Sequence, residues 1–288
     1  MPEAERGTYV NVRGFKLFYR VFGSGSNVLL CLHGGPGGTH IPLIPLGKLG
    51  DDKIKVVLYD QLGCGKSERP KDVSLLNVDY YIEEVEGIRQ ALGLEKINLM
   101  GQSWGGMLAL AYALKYQQNL KKLTTNGATA SVPEYIAEVT RLRESLPKDV
   151  RETIVKYENL WAFWHPEYME AIDIFSHNHF FRAPQWPKEF MEGRSLLSVP
   201  VYLTMWGPNE FTATGTLKEW DITPRLSEIR VPTLVTGGRY DESTPKVAET
   251  IHKGIRGSRL VTFENSSHFP MWEEEEKYLK TMREFITS

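Results

Sequence analysis

Lys96-Ile97-Asn98-Leu99-Met100-Gly101-Gln102-Ser103-Trp104-Gly105-Gly106 is the stretch on which the fold turns. A short apolar run leads into Gly-x-Ser-x-Gly, and a helical pattern follows over 104–118. Strand, sharp turn and helix in that order are the setting of a nucleophile elbow. There the serine occupies a strained turn and its hydroxyl projects from the top of a sheet. Gly101 and Gly105 let strand and helix pass close together. A chance Gly-x-Ser-x-Gly in a loop would have neither flank. A serine hydroxyl alone is a poor nucleophile, so the reading requires a base and an orienting acid further along.

Working outward, Val28-Leu29-Leu30-Cys31-Leu32 and Lys55-Val56-Val57-Leu58-Tyr59-Asp60 are continuous apolar runs, the pattern of strands covered on both faces. Residues 8–22 alternate polar and apolar about Gly14 and read as an antiparallel hairpin at the sheet edge. A helical pattern over 79–92 stops at Gly93, and 122–127 is a shorter strand candidate. This alternation predicts a mostly parallel sheet with helices on both faces. After about residue 130 it stops. Residues 133–145 and 149–163 have helical periodicity, and 161–220 are rich in aromatics and broken by prolines. The sheet pattern resumes at 231–238 and again at 259–263, and an amphipathic helix over 271–286 closes the chain. The expected organisation is an α/β core from 1–128 and 228–288, with a helical cap inserted over 129–227.

The 288 residues suit one large domain with an insertion. A net charge of -2 gives no basic footprint for nucleic acid. No run approaches the roughly 18 apolar residues of a membrane span. The start, Met1-Pro2-Glu3-Ala4-Glu5-Arg6-Gly7, has no signal-peptide pattern. Cys31 and Cys64 are too few for a disulfide framework and read as free thiols of a cytoplasmic protein. No His, Cys and Asp cluster has metal-ligand spacing, so neither metal nor cofactor is expected.

Two residues complete the chemistry that Ser103 requires. Asp241 follows the strand at 231–238, and His268 follows the strand at 259–263. Serine, acid, histidine is the chain order of the α/β-hydrolase arrangement. His268 is then the base that takes the Ser103 proton and returns it to the leaving group, while Asp241 fixes the imidazole tautomer. The other six histidines (His33, His40, His165, His177, His179 and His252) read as structural or surface residues. Asp60 follows a strand ahead of the elbow and reads as a brace for its turn. The developing oxyanion needs donors. The Trp104 N–H is one. Gly35 in His33-Gly34-Gly35-Pro36-Gly37 is the preferred second, with Gly34 as fallback.

His33-Gly34-Gly35-Pro36-Gly37, Asp60-Gln61-Leu62-Gly63-Cys64-Gly65-Lys66-Ser67 and Gly101-Gln102-Ser103-Trp104-Gly105-Gly106 together resemble the proline iminopeptidases, serine aminopeptidases of the α/β-hydrolase superfamily. Gly207-Pro208-Asn209-Glu210-Phe211, Trp220-Asp221-Ile222-Thr223 and Tyr240-Asp241-Glu242-Ser243-Thr244-Pro245 resemble the archaeal tricorn-interacting branch. The resemblance implies removal of an N-terminal residue, often proline, from short peptides. It implies Ser103, Asp241 and His268 as triad, and Glu210 and Glu242 as the carboxylates that hold the substrate's ammonium. Tyr202, Trp206 and Phe211, with the ring of Trp104, are candidates for an apolar pocket around a pyrrolidine ring. Expected partners are short peptides or amino-acid amides with a free N-terminus. An amino-acid amidase or esterase would use the same triad. A binding protein with a silent triad would have no need of Ser103, Asp241, His268 and Gly35 together.

Overall fold

The computed structural model describes residues 7–288, so the reading of Met1 to Arg6 lies outside the described residues. Eight strands form one sheet: β1 (Thr8–Val12), β2 (Phe15–Phe22), β3 (Asn27–Leu32), β4 (Ile54–Tyr59), β5 (Ile97–Gln102), β6 (Leu120–Asn126), β7 (Thr233–Gly238) and β8 (Arg259–Phe263). Their spatial order is β1-β2-β4-β3-β5-β6-β7-β8. The pairs β1–β2 and β2–β4 are antiparallel, and all others are parallel.

The continuous apolar runs divide by parity between the two faces of the sheet. Leu30, Leu32, Val57, Tyr59 and Leu99 enter one core, with α1 (Val78–Ala91) and α2 (Trp104–Tyr116). Leu29, Cys31, Val56, Leu58 and Met100 enter the other. That second layer holds a 3₁₀ helix, Ile41–Leu49, which the sequence reading did not foresee because Pro42 and Pro45 interrupt any α-helical pattern. Asn77 caps α1 by accepting a hydrogen bond from the Tyr80 N–H at 2.9 Å.

Five α-helices and a 3₁₀ helix, Thr223–Glu228, lie between β6 and β7: α3 (Val132–Glu144), α4 (Lys148–Asn159), α5 (Pro166–His179), α6 (Lys188–Ser195) and α7 (Val199–Met205). After β7 come α8 (Pro245–Gly254), α9 (Pro270–Glu273) and α10 (Glu275–Thr287). The closing helix, expected as one piece over 271–286, is thus broken at Glu274. The Glu274 carboxylate turns back to accept from the Asn265 N–H at 3.0 Å and the Ser266 hydroxyl at 2.7 Å. No helix among the described residues is long and apolar enough to cross a membrane.

One core residue sets a pH dependence. Glu84 is fully buried on α1, and burial pushes its carboxyl up to about 8, although it accepts from the Leu62 N–H at 3.0 Å. The folded chain therefore holds this proton where the unfolded chain has lost it. Stability falls as pH rises through the window from the ordinary glutamate value to about 8. Glu84→Gln, which keeps an acceptor for Leu62 and cannot ionise, should gain about 3–4 kcal/mol relative to wild type between pH 5 and pH 8. Denaturant unfolding at both pH values checks this; equal effects at both would contradict it.

Candidate active site

The sheet delivers the predicted residues to the C-terminal ends of β5, β7 and β8, the edge at which open α/β sheets bind ligands. Ser103 sits between β5 and α2 at φ 56° and ψ -125°, a backbone conformation rare for a residue with a side chain. A Cβ on Gly101 would overlap the Gly105 carbonyl, so the turn can be this tight only with glycine at 101. The Ser103 N–H donates to the Asn126 carbonyl at 2.8 Å, and Asn126 Nδ2 donates to the His268 carbonyl at 3.2 Å. Asn126 thereby ties the elbow to the histidine loop. A Cβ on Gly127 would lie 2.7 Å from His268 Nδ1 and 2.9 Å from Asp241 Oδ2, so the imidazole and its acid occupy space that a side chain would fill.

His268 Nδ1 is 2.6 Å from Asp241 Oδ1, and both residues are buried. Asp241 Oδ1 also accepts from the Ser243 N–H at 2.8 Å. Phe180 stacks on the imidazole with ring centroids 5.7 Å apart and planes 24° apart. On the other ring nitrogen, Nε2 lies 3.8 Å from Glu242 Oε1. Among the described residues no hydrogen bond joins the Ser103 hydroxyl to the ring; the two share the wall of one cavity. Burial alone would disfavour the imidazolium. Asp241 first, then Glu242 and Glu210, outweigh burial and lift His268 to about 9.

That cavity has a volume of about 380 Å³ and is lined by Gly34, Gly35, Ser103, Glu210, Glu242 and His268, among others. Glu242 comes from the loop after β7, and Glu210 from the loop after α7. Tyr202 Oη donates to Glu210 Oε1 at 2.6 Å, and Tyr135 Oη donates to Glu210 Oε2 at 3.2 Å. Neighbouring Asn209 donates from Nδ2 to Glu158 Oε1 and to Tyr168 Oη, each at 2.9 Å, which pins the loop to α4 and α5. Burial raises both carboxyls above their ordinary range. For Glu242 the charge of Glu210 adds to this, whereas the Tyr202 hydrogen bond pulls Glu210 back down.

The Gly-rich loop and the elbow are bound together by Gln61. Its Oε1 accepts from Trp104 Nε1 at 2.8 Å, its Nε2 donates to the His33 carbonyl at 2.9 Å, and its N–H donates to His33 Nε2 at 3.0 Å. Asp60 braces the same turn, accepting from the His40 and Lys66 N–H groups at 2.8 and 2.9 Å.

The aromatic candidates separate. Tyr202 and Phe211 line the cavity, Phe211 edge-on to Phe175 at 4.8 Å. Trp206 is corrected: it is not among the lining residues. Its Nε1 donates to the Asn209 carbonyl at 3.0 Å and its ring packs edge-on against Tyr135 at 5.3 Å, so it supports the Glu210 loop from behind. The Trp104 ring likewise faces the core, edge-on to Tyr81 at 5.8 Å.

Several residues at the site escaped the sequence reading. Tyr135, Arg194 and Phe180 come from helices or loops with no motif, and only tertiary packing brings them in. Glu273 accepts from the Ser267 N–H and hydroxyl, both at 2.8 Å, and holds the turn before His268.

Together the strained serine turn, the His268–Asp241 pair and the doubly wound sheet define a serine hydrolase of the α/β-hydrolase fold. The family profile of that fold matches residues 27–275. A proline iminopeptidase of Saccharolobus solfataricus is 47% identical over 283 residues, covering 96% of this chain and 91% of that protein. The crystal structure of VinJ superposes with a TM-score of 0.93 at 35% identity, covering 98% of each chain. That of a proline iminopeptidase from Mycobacterium smegmatis superposes with a TM-score of 0.91 at 29% identity, covering 98% of this chain and 97% of that one. The chain belongs to the proline iminopeptidase family.

Proposed function

We propose that this protein is a serine aminopeptidase that releases an N-terminal residue, preferably proline, from short peptides through an acyl-enzyme. The observation that carries the reading is that two carboxylates, the buried Glu242 and the half-buried Glu210, share the cavity of Ser103 and His268. An exopeptidase must measure its cut from a cationic end, and carboxylates in a dry site do this through charge-assisted hydrogen bonds. The secondary ammonium of an N-terminal proline has two N–H donors, one for each carboxylate.

In this reading the acyl carbon lies over Ser103. His268 accepts the hydroxyl proton as Oγ attacks, with Asp241 holding the resulting imidazolium. Backbone N–H groups of Trp104 and Gly35 receive the oxyanion. His268 then gives its proton to the departing amine, and water repeats the cycle on the acyl-enzyme. The segment 129–227 serves as a cap that carries Glu210, Tyr202 and Phe211 to the substrate. A cytoplasmic location belongs to the same reading and is supported by Cys31 and Cys64, both buried and unpaired.

Comparing kcat/KM on a proline-containing dipeptide, proline amide and a proline ester tests the reading. It predicts efficient cleavage of the dipeptide. Cleavage of the amide and ester alone would move the assignment to an amidase or esterase with the same triad. Tyr202→Phe should raise KM for prolyl-2-naphthylamide roughly tenfold with little change in kcat, because a hydrogen bond to a charged group is worth about 1.5–3 kcal/mol. An unchanged KM would exclude Tyr202 from positioning Glu210.

A further inference from the structure

The two nitrogens of the His268 ring face carboxylates on opposite sides. Asp241 Oδ1 lies 2.6 Å from Nδ1, and Glu242 Oε1 lies 3.8 Å from Nε2. The second contact is unusual for a base. Nε2 must be bare to accept the Ser103 proton, yet a nearby carboxylate favours a proton there. Phe180 covers one face of the ring, which limits screening by water. We propose that the substrate's ammonium takes over from the His268 imidazolium as counter-ion of Glu242, so that binding a free N-terminus frees Nε2 to act as the base. This rests on the reading of Glu210 and Glu242 as the ammonium site, and gives Glu242 a second role, as a residue that sets specificity through kcat.

The charges packed around the ring support the exchange. Asp241 and Glu242 face it from the loop after β7, Glu210 from the loop after α7, and Arg194 from α6; His179 and Glu273 lie behind Asp241. Arg194 stacks over Phe180 and Trp186 at 5.0 and 4.9 Å and makes no ion pair within 4 Å among the described residues, so it moderates the carboxylates without neutralising any one of them. Burial pushes Glu210 and Glu242 up, and the charge of Glu210 raises Glu242 further, so a cation beside them, together with Arg194, favours their ionised forms. Without substrate, the imidazolium supplies it, in line with a ring lifted to about 9. When a protonated proline nitrogen enters, the ammonium keeps its own protons and the imidazolium loses its Nε2 proton to water. The count of charges in the cavity is unchanged, and Nε2 now has a lone pair for the Ser103 hydroxyl. A peptide with a blocked N-terminus brings no cation and leaves the base protonated at neutral pH. Discrimination then acts on the chemical step as well as on binding.

NMR titration of the His268 imidazole in the wild-type protein tests this with L-prolinol, which has the cyclic ammonium but no acyl group to cleave. The His268→Gln variant assigns the signal. The ring is expected to titrate near 9 alone, and lower by about one pH unit or more when saturated with L-prolinol. In Glu242→Gln the unliganded ring should already titrate lower, and L-prolinol should move it little. A wild-type ring that titrates at the same pH, or higher, with L-prolinol bound would overturn the proposal. The ammonium would then displace a proton shared by Glu210 and Glu242 instead. Failure of L-prolinol to bind at all, read by calorimetry, would overturn the ammonium site and this proposal with it.

Discussion

Ser103→Ala should lower kcat on a proline-containing dipeptide by roughly five orders of magnitude while the protein stays folded. Loss of the hydroxyl removes the covalent route, and alanine adopts the 103 backbone about as well as serine does, since both carry a Cβ. The elbow does not depend on the hydroxyl: Gly101 allows the close approach, and the Ser103 N–H bond to Asn126 at 2.8 Å is a backbone contact. A fluorophosphonate should label the wild-type protein at Ser103 and leave the variant unlabelled. Substantial activity in the variant, or equal labelling, would mean that another nucleophile does the work.

Glu210→Gln should lower kcat/KM for prolyl-2-naphthylamide by roughly 10- to 150-fold, the value of a charge-assisted hydrogen bond of about 1.5–3 kcal/mol. It should leave an N-acetylated substrate no worse. The amide keeps the shape of the carboxylate but loses its charge. It can still accept from Tyr202 Oη, which lies 2.6 Å from Glu210 Oε1, so the loop should keep its position. Steady-state kinetics on the free and blocked pair separate the two effects. An equal loss on both substrates would mean that Glu210 holds the cap in place and does not read the N-terminus.

The parts of this molecule that sequence alone revealed are those fixed by local pattern. The runs at β3, β4 and β5 are largely apolar on both parities because both faces of the sheet are covered, and this marks central strands without any tertiary information. Ser103, Asp241 and His268 were legible as candidates because each follows a strand of the parallel part of the sheet, where the chain must turn at the same edge. The 3₁₀ helix Ile41–Leu49 was missed because its two prolines leave no 3.6-residue period. Gln61, Tyr135, Arg194 and Glu273 were missed for a different reason. Gln61 and Tyr135 act across long sequence separations, on Trp104 and Glu210, while Arg194 and Glu273 meet nearer neighbours through irregular turns that no periodicity or motif encodes. Trp206 shows the converse error. Aromatic residues beside a predicted loop read equally well as pocket wall or as support, and its indole N–H, bonded to the Asn209 carbonyl at 3.0 Å, makes it support.

The most direct test of the central claim, that this cavity reads a cationic N-terminus beside an activated serine, is the ratio of kcat/KM for prolyl-2-naphthylamide to that for its N-acetylated form. The account predicts a ratio of several hundred or more, from two charge-assisted contacts of about 1.5–3 kcal/mol each. A ratio near one would contradict it.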